Sequence, residues 1–192
     1  MEATMASERP TAADQSAGIP GSRYALYFGT AAIGLAIDLI TKHACFASPQ
    51  LRSGDVMWLW TGHIGIQLSL NEGALFGFGQ GKVWIFAALS VVAAIAIPTW
   101  IFVYRAARDA WLTFALGCVT VGVLGNLYDR LGLHGIAQDG RIIHAVRDWI
   151  LWQANDNWRW PNFNIADSFL VVGACLLFFH AMKQPHSAAG TR

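Results

Sequence analysis

Val83–Tyr104, VWIFAALSVVAAIAIPTWIFVY, runs for 22 residues without a charge. An α-helix rises about 1.5 Å per residue, so this stretch covers about 33 Å, enough to cross the hydrocarbon core of a bilayer. Pro98 falls inside it and predicts a kink, which membrane helices tolerate. Three further segments read the same way. Tyr24–Cys45 is interrupted by Asp38 and Lys42, Trp111–Tyr128 has 18 uncharged residues, and Ile165–Met182 carries Asp167 near its start. Hydrophobic residues make up 55% of the chain before its 19 glycines are counted, and charged residues only 13%. A soluble domain carries about 45–50% apolar residues with glycine included, and about 25% charged. The excess needs a second solvent, and the expected fold class is a mainly α membrane protein with four transmembrane helices.

The rest of the chain organises around these spans. Residues 1–22 are rich in Ala, Ser, Thr and Pro, have no periodicity, and read as a disordered tail. Residues 23–183 form the membrane domain, and 184–192 a second tail. The short loop Arg105–Ala110 carries two Arg, and Arg23 and Lys183 flank the outer ends of the first and last spans. By the positive-inside rule these ends, and both termini, are cytoplasmic. Two long connections, 46–82 and 129–164, then face outward. His63–Leu70 (HIGIQLSL) alternates strictly, which predicts a strand with Ile64, Ile66, Leu68 and Leu70 on one face. Val56–Trp60 is its expected hairpin partner across Thr61-Gly62. Asp139-Gly140 signals a second hairpin, followed by a strand over Arg141–Trp149.

A net charge of +1 excludes a basic nucleic-acid-binding surface. Cys45, Cys118 and Cys175 are too far apart for a disulfide framework or a metal site, and read as small buried hydrophobes.

Polar residues at membrane depth carry the functional signal, because ionisable groups are costly there. Asp38, Lys42, Asp129, Arg130 and Asp167, with Asp148 on the nearby loop, all gather toward the outward ends of the spans. Each has an ordinary reading. Asp38 and Lys42 are spaced i, i+4 and fit an ion pair. Asn164 and Asp167 fit an N-cap and an acid in a first helical turn. Asp148, in VRDWILW, is the least explained, since Arg147 beside it points the other way on a strand. If residues 149–164 fold back across the outer face, Asp148 and Asp167 converge. Two carboxyls sharing one proton can activate a water and protonate a leaving amine. Intramembrane acids also serve proton-coupled transporters, but these acids cluster at one face and no inverted repeat is visible.

Five motifs occur in order along the spans: DLITK (38–42), NEGALFG (71–77), GVLGNLYDR (122–130), VRDW (146–149) and FNIADS (163–168). Together they resemble the bacterial lipoprotein signal peptidases, or signal peptidase II, from about Asp38 to about Met182. The resemblance implies an aspartic endopeptidase of the bacterial inner membrane, with its site at the outer face and no cofactor or metal. The implied substrate is a prolipoprotein already carrying diacylglycerol on its cysteine, within a membrane lipid environment. It would be cut on the N-terminal side of that cysteine. The family's catalytic aspartates fall on Asp148 and Asp167. Asp38, Lys42, Asn71, Gly73, Asn126, Arg130 and Asn164 match positions that line or support the site, and Asp129 matches a structural aspartate. The implied extracytoplasmic β region is about 51–82, and the active-site loop about 131–164. Trp149 stands where the family usually has Phe, and Leu75 where Ala is common.

The topology is testable in a variant lacking the three native cysteines. Gln50→Cys should react with an impermeant thiol reagent added to intact cells, and Ala188→Cys only after permeabilisation. The reverse pattern would overturn the orientation.

Overall fold

The computed structural model describes residues 18–52, 54–73 and 79–183. Four helices dominate it: α1 (Gly21–Ala47), α2 (Val83–Pro98), α3 (Ala110–Arg130) and α4 (Ile165–Lys183). The expected tails at 1–17 and 184–192 lie outside the described residues, and α1 begins at Gly21, two residues inside the expected N-terminal tail. All four helices are long and apolar enough to cross a membrane, α2 when taken with the turn that continues it. Their outer faces carry large apolar side chains open to the surroundings: Ile33 and Ile40 on α1, Val92 and Ile95 on α2, Phe178 on α4. Water would oppose such a surface, whereas lipid solvates it.

At Pro98, where the sequence predicts a kink, the regular α-helix ends. Proline has no N–H to continue the ladder. The chain widens there into a π turn, Thr99–Val103, with the Thr99 hydroxyl donating back to the Ile95 carbonyl at 2.7 Å. Arg105, in the left-handed region at φ 60°, turns the chain toward α3. Asp109 caps α3 by accepting the Leu112 N–H at 3.1 Å.

Helix α3 is the centre of the bundle, with α1, α2 and α4 each packed against it. Small residues allow this. A Cβ on Gly173 of α4 would lie 2.7 Å from Val119 Cγ2 and 2.9 Å from the Ala115 carbonyl oxygen of α3. A Cβ on Gly125 of α3 would lie 2.5 Å from Asp38 Oδ2 of α1. Close backbone approach of this kind replaces the hydrophobic driving force that lipid removes.

The sheet at the end of the bundle is larger than expected. Strands β1 (Met57–Trp60) and β2 (Ile64–Asn71) form the hairpin read from the sequence, within the expected 51–82 region. The second connection completes the sheet, with strand structure running well beyond the expected Trp149. Its strands β5 (Val146–Asn155) and β6 (Trp158–Phe163) join β2 in the antiparallel order β1-β2-β5-β6. The Asp139-Gly140 hairpin is present between β3 (Ala137–Gln138) and β4 (Arg141–Ile142), with both turn residues at positive φ. The expected continuous strand over 141–149 is broken, because β4 stops at Ile142 and β5 starts at Val146.

The single apolar face expected on β2 is also corrected. Ile64 pairs with Trp152 and Ile66 with Ile150, but the register then slips so that Ser69 pairs with Asp148 and Leu70 with Arg147. Paired residues share a face. Ile64 and Ile66 therefore lie on the Asp148 face, while Leu70 lies on the opposite one. A β-bulge between them re-aims the strand. The cysteines need correcting as well: Cys118 is buried and Cys45 half-buried, but Cys175 is exposed on α4.

Gly125→Ala should push α1 away from α3 at the Asp38 contact and cost about 1–3 kcal/mol, the range for overpacking. Thermal unfolding in detergent reads this directly, and an unchanged midpoint would refute it.

Candidate active site

The bundle and sheet meet over a buried polar cluster. Lys42 of α1 is fully buried, with Nζ 2.9 Å from Asp38 Oδ2 and 3.1 Å from Asp129 Oδ2. The i, i+4 pair is thus real, and it also ties α1 to α3. Asp38 Oδ1 accepts the Ala166 N–H at 2.9 Å and anchors the start of α4. Asp129 is fully buried and binds β5 as well. Its oxygens accept the Arg147 backbone N–H at 3.0 Å and the Arg147 Nε at 3.0 Å, and Arg147 Nη2 lies 2.8 Å away. Asp129 thus joins α1, α3 and β5. Removing one partner of a buried pair leaves an uncompensated charge, typically at a cost of about 3–5 kcal/mol.

Asn164 and Asp167 form a reciprocal cap. The Asp167 N–H donates to Asn164 Oδ1 at 2.9 Å, and the Asn164 N–H donates to Asp167 Oδ2 at 3.3 Å. Asn164 also reaches the sheet: its Nδ2 donates to Asp148 Oδ1 at 2.6 Å. The two aspartates are therefore held by one residue. Asn126 Nδ2 donates to Asp167 Oδ1 at 2.8 Å, and Asn71 Nδ2 donates to Asp148 Oδ2 at 3.1 Å. Gly73 joins through its backbone. Its N–H donates to Asn71 Oδ1 at 2.9 Å, and its carbonyl accepts Arg130 Nη2 at 2.9 Å. All ten positions singled out from the sequence thus converge. Asp148 and Arg147 point to opposite faces of β5, as the alternation requires.

Three supporting residues escaped the sequence reading. Strand alternation says only that Arg147 points away from Asp148, yet it pairs with Asp129. Gly125 gives Asp38 its space. Gln80 holds Asn71 Oδ1 through its Nε2 at 2.9 Å. The i, i+4 pairing on α1 signals a buried cation that other acids must balance, but it does not say which strand supplies the second cation. Trp149 is half-buried, and its Nε1 has no hydrogen-bond partner among the described residues. Leu75 lies outside the described residues.

Asp167 also borders two apolar cavities. One, about 300 Å³, has apolar walls from Phe86, Leu89, Val123 and Leu170 and also reaches Asn126 and Arg130. The other, about 510 Å³, is lined by Trp152, Trp160, Phe163, Val171 and Val172.

The family model for signal peptidase (SPase) II matches residues 30–183. The chain belongs to the signal peptidase II family. It is accordingly a peptidase, and its four spanning helices make it a multi-pass bacterial membrane protein. A lipoprotein signal peptidase of Rhodopirellula baltica is 51% identical over 187 residues, covering 94% of this chain and 82% of the relative. Another, from Rhodococcus jostii, is 33% identical over 155 residues, covering 81% and 71%. A solved bacterial membrane enzyme superposes with a TM-score of 0.69 at 23% identity, covering 91% of this chain and 96% of that one, which bears on the fold alone.

Burial is the larger cause, and the neighbouring Asp167 charge the second, of a rise in the Asp148 pKa from 3.8 to about 7. Hydrogen bonds from Asn164 and Asn71 and the Lys42 charge oppose that rise without cancelling it. A carboxyl whose folded pKa is raised stabilises the fold most below its unfolded pKa, and that contribution is lost as pH climbs through the folded value. Between pH 5 and pH 8 the unfolding midpoint of Asp148→Asn should therefore move in the variant's favour relative to the parent. A gap that does not change with pH would contradict it.

Proposed function

We propose that this chain is an aspartic endopeptidase of the bacterial inner membrane, with Asp148 and Asp167 as its catalytic dyad at the outer face. Its substrates are diacylglyceryl-modified prolipoproteins, which it cuts on the N-terminal side of the lipidated cysteine to release the signal peptide. Membership of the signal peptidase II family supports the substrate class, as do relatives named lipoprotein signal peptidases. The observation that carries the aspartic reading is the bridge through Asn164, which hydrogen-bonds both carboxyls in a nearly water-free setting.

Charge balance supports a dyad with one proton. The buried cations around it are Lys42, Arg130 and Arg147; the buried acids are Asp38, Asp129, Asp148 and Asp167. With Asp38 and Asp129 ionised against their partners, the set is neutral when one proton sits on the dyad. Asp167, in the first turn of α4, meets free N–H groups and the favourable end of the helix dipole, so it is the carboxylate. Asp148, high in pKa, is the acid.

In this reading Asp167 takes a proton from water as the water oxygen bonds to the peptide carbonyl carbon. Asp148 gives its proton to the carbonyl oxygen. As the tetrahedral intermediate collapses, the C–N bond breaks, the proton on Asp167 passes to the leaving amine of the cysteine, and Asp148 regains its own. Arg130 lies beside the pair with Nε unpartnered among the described residues, and can hold a substrate carbonyl. The apolar cavities on Asp167 supply surface for acyl chains and a signal-peptide helix. Each buried CH₂ contributes about 0.8 kcal/mol, so the lipid holds the scissile bond at the level of the dyad.

Cleavage of a lipidated precursor by detergent-purified enzyme tests this. Asp148→Asn and Asp167→Asn should each lose on the order of 10²-fold or more in turnover while remaining inserted. The same precursor without its diacylglyceryl group should be a very poor substrate. Near-parental turnover by either variant would overturn the dyad, and rapid cleavage of the unmodified precursor would overturn the anchoring role.

A further inference from the structure

Lys42 has a contact that its ion pairs do not explain. Besides Asp38 and Asp129, its Nζ lies 3.1 Å from Asn126 Oδ1 and 3.5 Å from the Gly125 carbonyl oxygen. An ammonium has three N–H donors and no acceptor. It therefore makes Asn126 turn its carbonyl oxygen inward, which leaves Nδ2 facing Asp167 Oδ1 at 2.8 Å. Asn126 Oδ1 also accepts from Asn164 Nδ2 at 3.2 Å, and that same nitrogen donates to Asp148 Oδ1. Asn164 Oδ1 is left to accept the Asp167 N–H. Two donor-only groups, the Lys42 ammonium at one end and the Asp167 N–H at the other, thus set the sense of a chain of hydrogen bonds ending on both aspartates.

The two ends of an asparagine amide are nearly alike in shape, so the chemistry of its partners selects its orientation. While Asp167 is a carboxylate, it favours a donor from Asn126 itself. Once Asp167 carries the proton taken from water, that preference vanishes. A turned Asn126 could then accept the proton's hydrogen bond at Oδ1 and hold it away from the substrate. Lys42 prevents the turn, because a flipped amide would set its NH₂ against the ammonium. Asp167 Oδ2, which among the described residues is held only by the longer 3.3 Å contact, is then the oxygen that carries the proton.

We propose that Lys42 is a positioning residue that acts through the Asn126 amide, keeping a donor on Asp167 throughout the reaction so that its proton stays available to the leaving amine. The inference rests on the dyad reading above. Asp38 from its own helix, Asp129 from α3, Asp167 from α4 and Asp148 from β5 are the acids grouped around this ammonium, with Arg130 and Arg147 as the other cations.

Lys42→Met is the test, with Lys42→Met/Asp38→Asn as a charge-balanced version should the single variant fail to fold. Both should retain KM and lose turnover on the order of 10²-fold, the scale for a misplaced catalytic group. The bell-shaped pH–rate profile of Lys42→Met should move to higher pH, because the dyad ionises less readily without the cation, whereas in the double variant the lost Asp38 charge offsets that shift. Combining either with Asn126→Ala should add little further loss, since the two act as one unit. A Lys42→Met profile that falls without moving, or, in either variant, parental turnover or losses that multiply, would overturn the positioning role. Asp148→Asn in the same assay separates the two ideas, because full activity there overturns the dyad itself.

Discussion

Seven ionised or ionisable side chains share the interior where helices and sheet meet, and their charges have to cancel there. Lys42 anchors the arrangement, because it sits between the acids of α1 and α3 and its pull on Asp129 is continued by Arg147 from the sheet. A buried charge without a partner is too costly to keep. Docking α1, α3 and β5 is thus one problem with one solution, and the proposed dyad is carried into place by it. Asn126 lies next to Asp129 in projection around α3, and Asp148 follows Arg147 on β5. Residues that balance charge and residues proposed to do chemistry are neighbours on the same elements.

Much of this was legible in the sequence because it depends on short-range spacing. Helix length follows from uncharged runs such as 83–104. The Asn164–Asp167 cap is three residues long, and the Asp38–Lys42 pair one helical turn. The opposite directions of Arg147 and Asp148 follow from strand alternation alone. The five ordered motifs contain all ten candidate positions, and the folded chain brings those ten to one cluster.

What escaped depends on pairing between distant segments. Nothing local in 146–163 says that it completes a sheet begun by 57–71, so the sequence shows a strand only as far as Trp149 and leaves 150–163 as loop. Nothing in HIGIQLSL shows the slip after Ile66, because a bulge is a property of two strands together. Yet the slip is what places Ser69, beside Asp148, and Ile66, beside Ile150, on the same face. Gly125 was likewise invisible as a contact, since the atom it makes room for belongs to a residue 87 positions earlier, Asp38.

The placement of the two cavities has a kinetic consequence. Both are walled partly by side chains that also face the surroundings of the bundle, Leu89 on α2 and Val171 and Val172 on α4. Under the proposed function such a site is supplied from the film of lipid or detergent around the helices, in two dimensions. The concentration that matters is the mole fraction of substrate in that film. Adding empty micelles at constant substrate and enzyme therefore dilutes the reaction, although nothing in the bulk volume has changed. A Michaelis constant for this enzyme has meaning only per unit of amphiphile.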